Sequence, residues 1–146
     1  MPITTPWETA AVDIPGILGD GEASARVRRA DDTVLFHASV LFGTSSAWLA
    51  GSFGLGLPVV AAPLWAPAQS LNTRYFAAGS AYARDVSAGA SYAGSVGISG
   101  VGADPTDLVV QFRVCFSTGI LNTTVPFTWD AGDVLTFSGQ IEAFGN

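Results

Sequence analysis

Lysine is absent from this 146-residue chain, and its six basic residues are all arginine. Charged residues make up only 12% of it, against roughly 25% in an ordinary soluble domain. The net charge is −6, with no basic block beyond Arg26, Arg28 and Arg29. Gripping a phosphate backbone requires the opposite sign and a continuous basic stripe, so nucleic acid is not an expected partner. Cys115 stands alone, which excludes an internal disulfide and leaves a zinc cluster without sulfur ligands. No run approaches the roughly 18 apolar residues of a membrane span. The nearest, "VVAAPLWAPA" (59–68), is broken by two prolines. The opening "MPITTPWETAAVD" has neither a basic n-region nor an apolar h-region, so no secretory leader is read there. The expectation is a chain made in a cytoplasm, with no membrane partner.

What is present is apolar residue, glycine and a period of two. Hydrophobic residues make up 49% of the chain, with 17 Gly and 8 Pro. The length suits one domain with a sizeable core. So little charge on so apolar a chain implies that part of its surface is hidden against other subunits. In "EASARVRR" (22–29) Ala23, Ala25 and Val27 share one face, with Ser24, Arg26 and Arg28 on the other. "TVLFHASVLF" (33–42) sets Val34, Phe36, Ala38, Val40 and Phe42 against Leu35, His37, Ser39 and Leu41. With "ADD" (30–32) as the turn between them, the two runs predict a β-hairpin. "GSFGLGLP" (51–58) reads as a strand whose glycines mark a close approach by another backbone or ring. Residues 74–84 and 91–98 read as weaker strands. "LVVQFRVCF" (108–116) is the clearest strand, with Leu108, Val110, Phe112, Val114 and Phe116 inward. "DVLTFSGQIEAF" (133–144) closes the chain with Leu135, Phe137 and Ile141 inward. No segment carries a helical stripe. The prediction is all-β: a single antiparallel β-sandwich or jelly-roll-like domain over 13–146, preceded by an extended N-terminal arm over 1–12 that Pro2 and Pro6 keep from coiling.

The segment "VPFTWDAGDVLTFSG" (125–139) precedes and enters the last strand. Pro126 removes a ladder donor and confines this point to an edge or corner. Phe127 and Trp129 have the same parity and can drop onto one side. "DAGD" (130–133) then reverses the chain. The expected result is a corner plugged by two aromatic rings.

Trp7, "GDGEASAR" (19–26), "VLFHASVLFGTSSAWLAGSFGLGLP" (34–58) and "VPFTWDAGDVLTFSGQIEA" (125–143) together resemble a β-rich domain of virion proteins of tailed bacteriophages infecting actinobacteria, found in minor tail proteins and fibre tips. The likeness runs from about residue 7 to 143, with the closing motif its most specific part. Asp130 stands where a small residue is usual, and Gln140 where an aromatic is common. The resemblance implies a non-enzymatic virion component, commonly trimeric and displayed on the particle surface. Only about a dozen residues precede the expected domain, with no shaft-like repeat among them. The expectation is therefore a homotrimeric capsid decoration protein that docks on the major capsid protein. A tail-fibre or tail-tip head recognising host surface glycan is the alternative.

His37 is the only histidine and lies on the less apolar side of its strand. No G-x-S-x-G elbow accompanies it, so it is read as a strand-surface or interface residue. The pairs Asp31/Asp32, Asp104/Asp107 and Asp130/Asp133 all fall at predicted turns, where Asp caps local backbone donors. "DAGD" supplies too few oxygens to enclose Ca²⁺. Cys115 reads as a small filler of its strand, and "NTT" at Asn122 as a loop. No catalytic, cofactor-binding or metal-ligating residue is assigned. The aromatic side chains are the remaining resource. Trp7, Trp48, Trp65, Tyr75, Phe76, Tyr82 and Trp129 are assigned as candidate interface residues; the rings of Trp48 and Trp65, placed in loops, are also candidates to stack on sugar.

Overall fold

The computed structural model describes residues 6–14, 16–31, 33–48, 53–56, 76–101 and 109–142. The alternating segments form β1 (Glu8–Ala10), β2 (Val12–Asp13), β3 (Gly16–Ile17), β4 (Glu22–Ala30), β5 (Thr33–Leu41), β6 (Ala47–Trp48), β7 (Phe53–Gly56), β8 (Phe76–Asp85), β9 (Ala90–Val101), β10 (Val109–Phe116), β11 (Gly119–Ile120) and β12 (Val134–Glu142). No helix occurs among the described residues, and the all-β, antiparallel fold is as expected. β4 and β5 pair along their whole length from Glu22↔Leu41 to Ala30↔Thr33. The chain reverses at Asp31, whose φ of 59° is a conformation that Asp tolerates better than most residues.

Ten strands form one sheet in the order β1-β4-β5-β12-β8-β9-β10-β7-β2, with β11 on β10; β3 and β6 form a separate pair. The two ends of this order are held by consecutive strands, since β1 pairs with β4 and β2 with β7. One short ribbon thus joins both ends of the sheet and closes it into a circuit. Rings meet across the interior: Phe36 of β5 lies 4.5 Å from Phe112 of β10, and Phe53 of β7 lies 4.9 Å from Phe137 of β12. The β5-β12-β8-β9 side therefore packs on the β10-β7-β2 side. With the last strand inserted between β5 and β8, this is a jelly-roll-like sandwich.

Glu8–Ala10 and Val12, within the arm expected over 1–12, are extended and pair into the sheet. Residues 1–5 of that arm lie outside the described residues. Alternation predicted the core well. Val34, Phe36, Ala38 and Val40 are at most 2% exposed, and Phe112, Val114, Leu135 and Phe137 are equally buried. Fully burying one such side chain contributes about 1.5–3 kcal/mol. Two glycines are held bare by the close approach of a neighbouring strand. A Cβ at Gly79 would fall 1.9 Å from the Ser138 carbonyl oxygen, and one at Gly94 2.4 Å from that of Cys115.

Candidate functional site

Three places gather polar or aromatic groups. The first is the 125–133 corner. Phe127 and Trp129 do drop to one side, with ring centroids 4.5 Å apart. Trp129 continues onto Trp48 at 5.4 Å and Phe42 at 5.7 Å, and Trp48 onto Phe53 at 5.7 Å. The Trp129 indole N–H donates to the Val125 carbonyl at 3.1 Å. Asp133 fastens the corner to the neighbouring hairpin. Its carboxylate accepts from the backbone N–H of Val86 at 2.9 Å and of Asp130 at 2.6 Å, and the residue is 1% exposed. The expected Asp caps are real here, but Asp133 bonds across 47 residues as well as locally.

The second place is an interlock of the loops after β3 and β5. The Asp20 carboxylate accepts from the Thr44 hydroxyl, the Ser45 backbone N–H (2.7 Å) and the Ser45 hydroxyl (2.8 Å). These bonds hold its pKa far below the ordinary value of 3.8, the Thr44 hydroxyl first among the causes, because each favours the ionised form. The loops also touch through bare backbone. A Cβ at Gly43 would lie 2.5 Å from the Gly21 nitrogen, and one at Gly21 2.5 Å from the Leu41 oxygen.

The third place is a groove of about 480 Å³ on the outer face of β4, β5, β12 and β8. The pairing register builds it. Thr9, Arg26, His37, Ser138 and Ser80 stand side by side on five adjacent strands. Trp7 and Gln140 complete the polar rim, and Leu35 adds apolar surface. Gly79 and Gly139 are register partners that leave bare backbone at its floor. The Arg26 guanidinium sits 4.7 Å from the centre of the Trp7 ring, a cation–π contact. Among the described residues no carboxylate lines this groove.

The aromatic residues assigned from sequence separate into distinct groups. Trp48 and Trp129 are not available as interface or sugar-stacking rings: at 1% and 8% exposure they are the centre of the core's aromatic cluster. Trp48 was placed in a loop, but β6 pairs with β3 and turns its ring inward. Its indole N–H has no hydrogen-bond partner among the described residues, so its value is in packing. Trp7 and Tyr82 are exposed, at 39% and 45%. Phe76 begins β8 opposite Ile98. Trp65 and Tyr75 lie outside the described residues, as do Asp104 and Asp107.

His37 has Arg26 and Ser138 as its strand neighbours, and among the described residues no acid completes a relay in that groove. Asn122 caps its own loop by accepting from the Thr124 N–H at 2.8 Å. Among the described residues no three His, Cys, Asp or Glu side chains converge on one point. Sequence reasoning missed Asp20 and the groove, and took Asp133 as a local cap alone. Asp20 had a signal, since an acid beside Gly at a turn often bonds to backbone. The groove had none, because its residues are drawn together only by long-range pairing.

The fold and these sites define a jelly-roll-like all-β domain whose polar clusters fasten loops and which carries a polar groove on a sheet face. Comparison with protein-family models, with curated proteins and with solved structures finds no match for this chain.

Proposed function

We propose that this chain is a non-enzymatic structural component of a bacteriophage particle, a homotrimeric decoration protein seated on the major capsid protein at the outside of the head. One observation carries this reading. The segments that resemble virion proteins meet in space as joints of the fold. Asp20 of "GDGEASAR" is bonded to Thr44 and Ser45 of "FGTSS". Trp129 of "VPFTW" packs on Phe42 and Trp48 of the central segment. The likeness therefore rests on residues that hold a sandwich together, and these residues serve no reacting group.

The chain's sparse charge supports association with copies of itself. Tyr82 (45% exposed), Val86 (54%) and Tyr92 (37%) put apolar surface on the β8–β9 hairpin, and exposed Tyr is a common anchor of subunit contacts. A standard interface buries about 1,600 Å² in total. Sedimentation velocity on purified protein is expected to show a species of about 45 kDa, three times the 15.0 kDa chain. Tyr82→Ser with Tyr92→Ser is expected to shift it toward monomer. Peptide counting on purified particles is expected to give hundreds of copies. A monomer at all concentrations, together with absence from particles, would sink the proposal.

The receptor-binding reading, a fibre or tail-tip head, is favoured by one feature: the outer-face groove with its exposed Trp7. A handful of copies per particle, located at the tail, would select it.

A further inference from the structure

We propose that the groove across β4, β5, β12 and β8 is a binding site for a carboxylate-bearing sugar unit, with Arg26 as its anion anchor. The inference goes beyond the assembly reading and does not rest on it, because the groove is complete within one chain.

The chain carries a net charge of −6, yet the described residues that line this groove include an arginine and a histidine and no acid. Arg26 has no ion pair or hydrogen bond among the described residues; its recorded contact is the Trp7 ring at 4.7 Å. That contact steadies the guanidinium while leaving its N–H fork unused, and the fork matches a carboxylate in a bidentate pair. One register row along β4, Arg28 stands on the same face opposite Leu35, and its Nε is buried with no partner among the described residues. Two guanidiniums with unspent donors thus flank the same surface.

The remaining lining suits a sugar. Ser80, Ser138 and Gln140 offer hydroxyls and an amide beside His37, and none of them has a hydrogen-bond partner among the described residues. Such groups can both donate to and accept from sugar hydroxyls. Trp7 and Leu35 supply the apolar surface that a pyranose ring requires on its other side. The opening, about 480 Å³, is in the range of small-ligand sites. A peptide strand is a poorer fit. The groove lies on a sheet face whose backbone groups are already paired in the ladders of β4, β5, β12 and β8, so no edge is offered for strand addition.

The test is a calorimetric and tryptophan-fluorescence titration of the purified protein with four probes: a galacturonic-acid trisaccharide, the matching neutral galactose trisaccharide, inorganic phosphate and a short poly-glutamate peptide. The acidic trisaccharide is expected to bind saturably and to weaken with added salt. The neutral sugar is expected to bind about tenfold more weakly or worse, for want of a charge-assisted pair. Arg26→Gln, on an exposed strand face, is expected to abolish this difference while leaving the melting temperature unchanged. Arg26→Lys is expected to recover only part of it, because an ammonium lacks the fork. Trp7→Ala is expected to weaken both sugars. The proposal is overturned if the acidic trisaccharide does not bind, or if its affinity is unchanged in Arg26→Gln. It is equally overturned if phosphate binds as tightly, which means a bare anion site, or if poly-glutamate does, which means a protein-docking surface.

Discussion

Replacing Trp129 tests whether the 125–133 corner is a structural plug. The ring touches Phe127, Trp48 and Phe42 at centroid distances of 4.5, 5.4 and 5.7 Å and is 8% exposed. Its N–H adds one bond to the Val125 carbonyl. Trp129→Ala removes all three ring contacts and opens a cavity against Trp48, a change that costs about 3–5 kcal/mol in comparable cores. Trp129→Phe keeps most of the ring packing and forfeits the hydrogen bond, which is worth about 1 kcal/mol net. Against a total stability of about 5–15 kcal/mol, the alanine variant loses a large share and the phenylalanine variant a small one. With roughly 3 °C per kcal/mol for a domain of this size, the expected losses in melting temperature are about 10–15 °C and about 3 °C. Denaturant unfolding followed by near-UV circular dichroism gives the free energies directly. All variants must be compared at one protein concentration, since self-association raises apparent stability by mass action. If the two variants lose the same amount, the hydrogen bond and not the ring stack holds the corner, and the packing argument is wrong. If Trp129→Ala loses less than about 1 kcal/mol, below any core-ring truncation of this kind, the ring is not a plug at all.

Two further predictions concern the acids that fasten loops. Asp133→Ala leaves the N–H groups of Val86 and Asp130 without their acceptor, at about 1–3 kcal/mol for each group left unpaired; hydrogen exchange is expected to speed up at both amides, and unchanged exchange at Val86 would refute the bolt. Asp20 has a depressed folded-state pKa, so its contribution is complete above the unfolded value of 3.8 and is lost as pH falls from there toward the lowered one. The melting-temperature gap between wild type and Asp20→Asn is therefore expected to be constant from about pH 5 to 7 and to shrink below about pH 4. A gap that stays the same down to pH 2 would show that the carboxylate's charge is irrelevant to the interlock.

The parts of the fold legible in the sequence are those governed by local rules. Strand parity follows from the pleat, so Val34, Phe36, Ala38 and Val40 could be assigned inward from their alternation alone. A hairpin needs only two alternating runs and a turn, and the 22–41 hairpin meets that condition. Trp48 defeated the same reasoning because its neighbours Ser45, Ser46 and Ala47 carry no alternation. Its burial comes from β3, whose Gly16 lies opposite it and offers no competing side chain. Asp130 and Asp133 look alike at the ends of "DAGD", yet one is exposed and the other is 1% exposed. The difference is the Val86 amide, contributed by a hairpin 47 residues away.

The groove was invisible for a deeper version of the same reason. Period-two reading assigns Arg26, His37, Ser80 and Ser138 each to a solvent face, and for any one strand that is a complete account. Their meaning depends on which strands are neighbours. β12, formed last in the chain, inserts between β5 and β8, and that insertion alone places Ser138 between His37 and Ser80. Had β12 instead added to the outside of β4, Arg26 and His37 would still be adjacent, but Ser80 and Gln140 would belong to other surfaces. The same insertion buries Phe137 between Phe36 and Phe53. The residues that seal the core and those that line the groove are therefore alternate residues of one strand. A variant that shifts the β12 register by one residue would exchange the two sets, exposing Phe137 and burying Ser138. The aromatic plug at Phe127 and Trp129, immediately before this strand, works against such a slip and so holds the outer groove in place as well as the core.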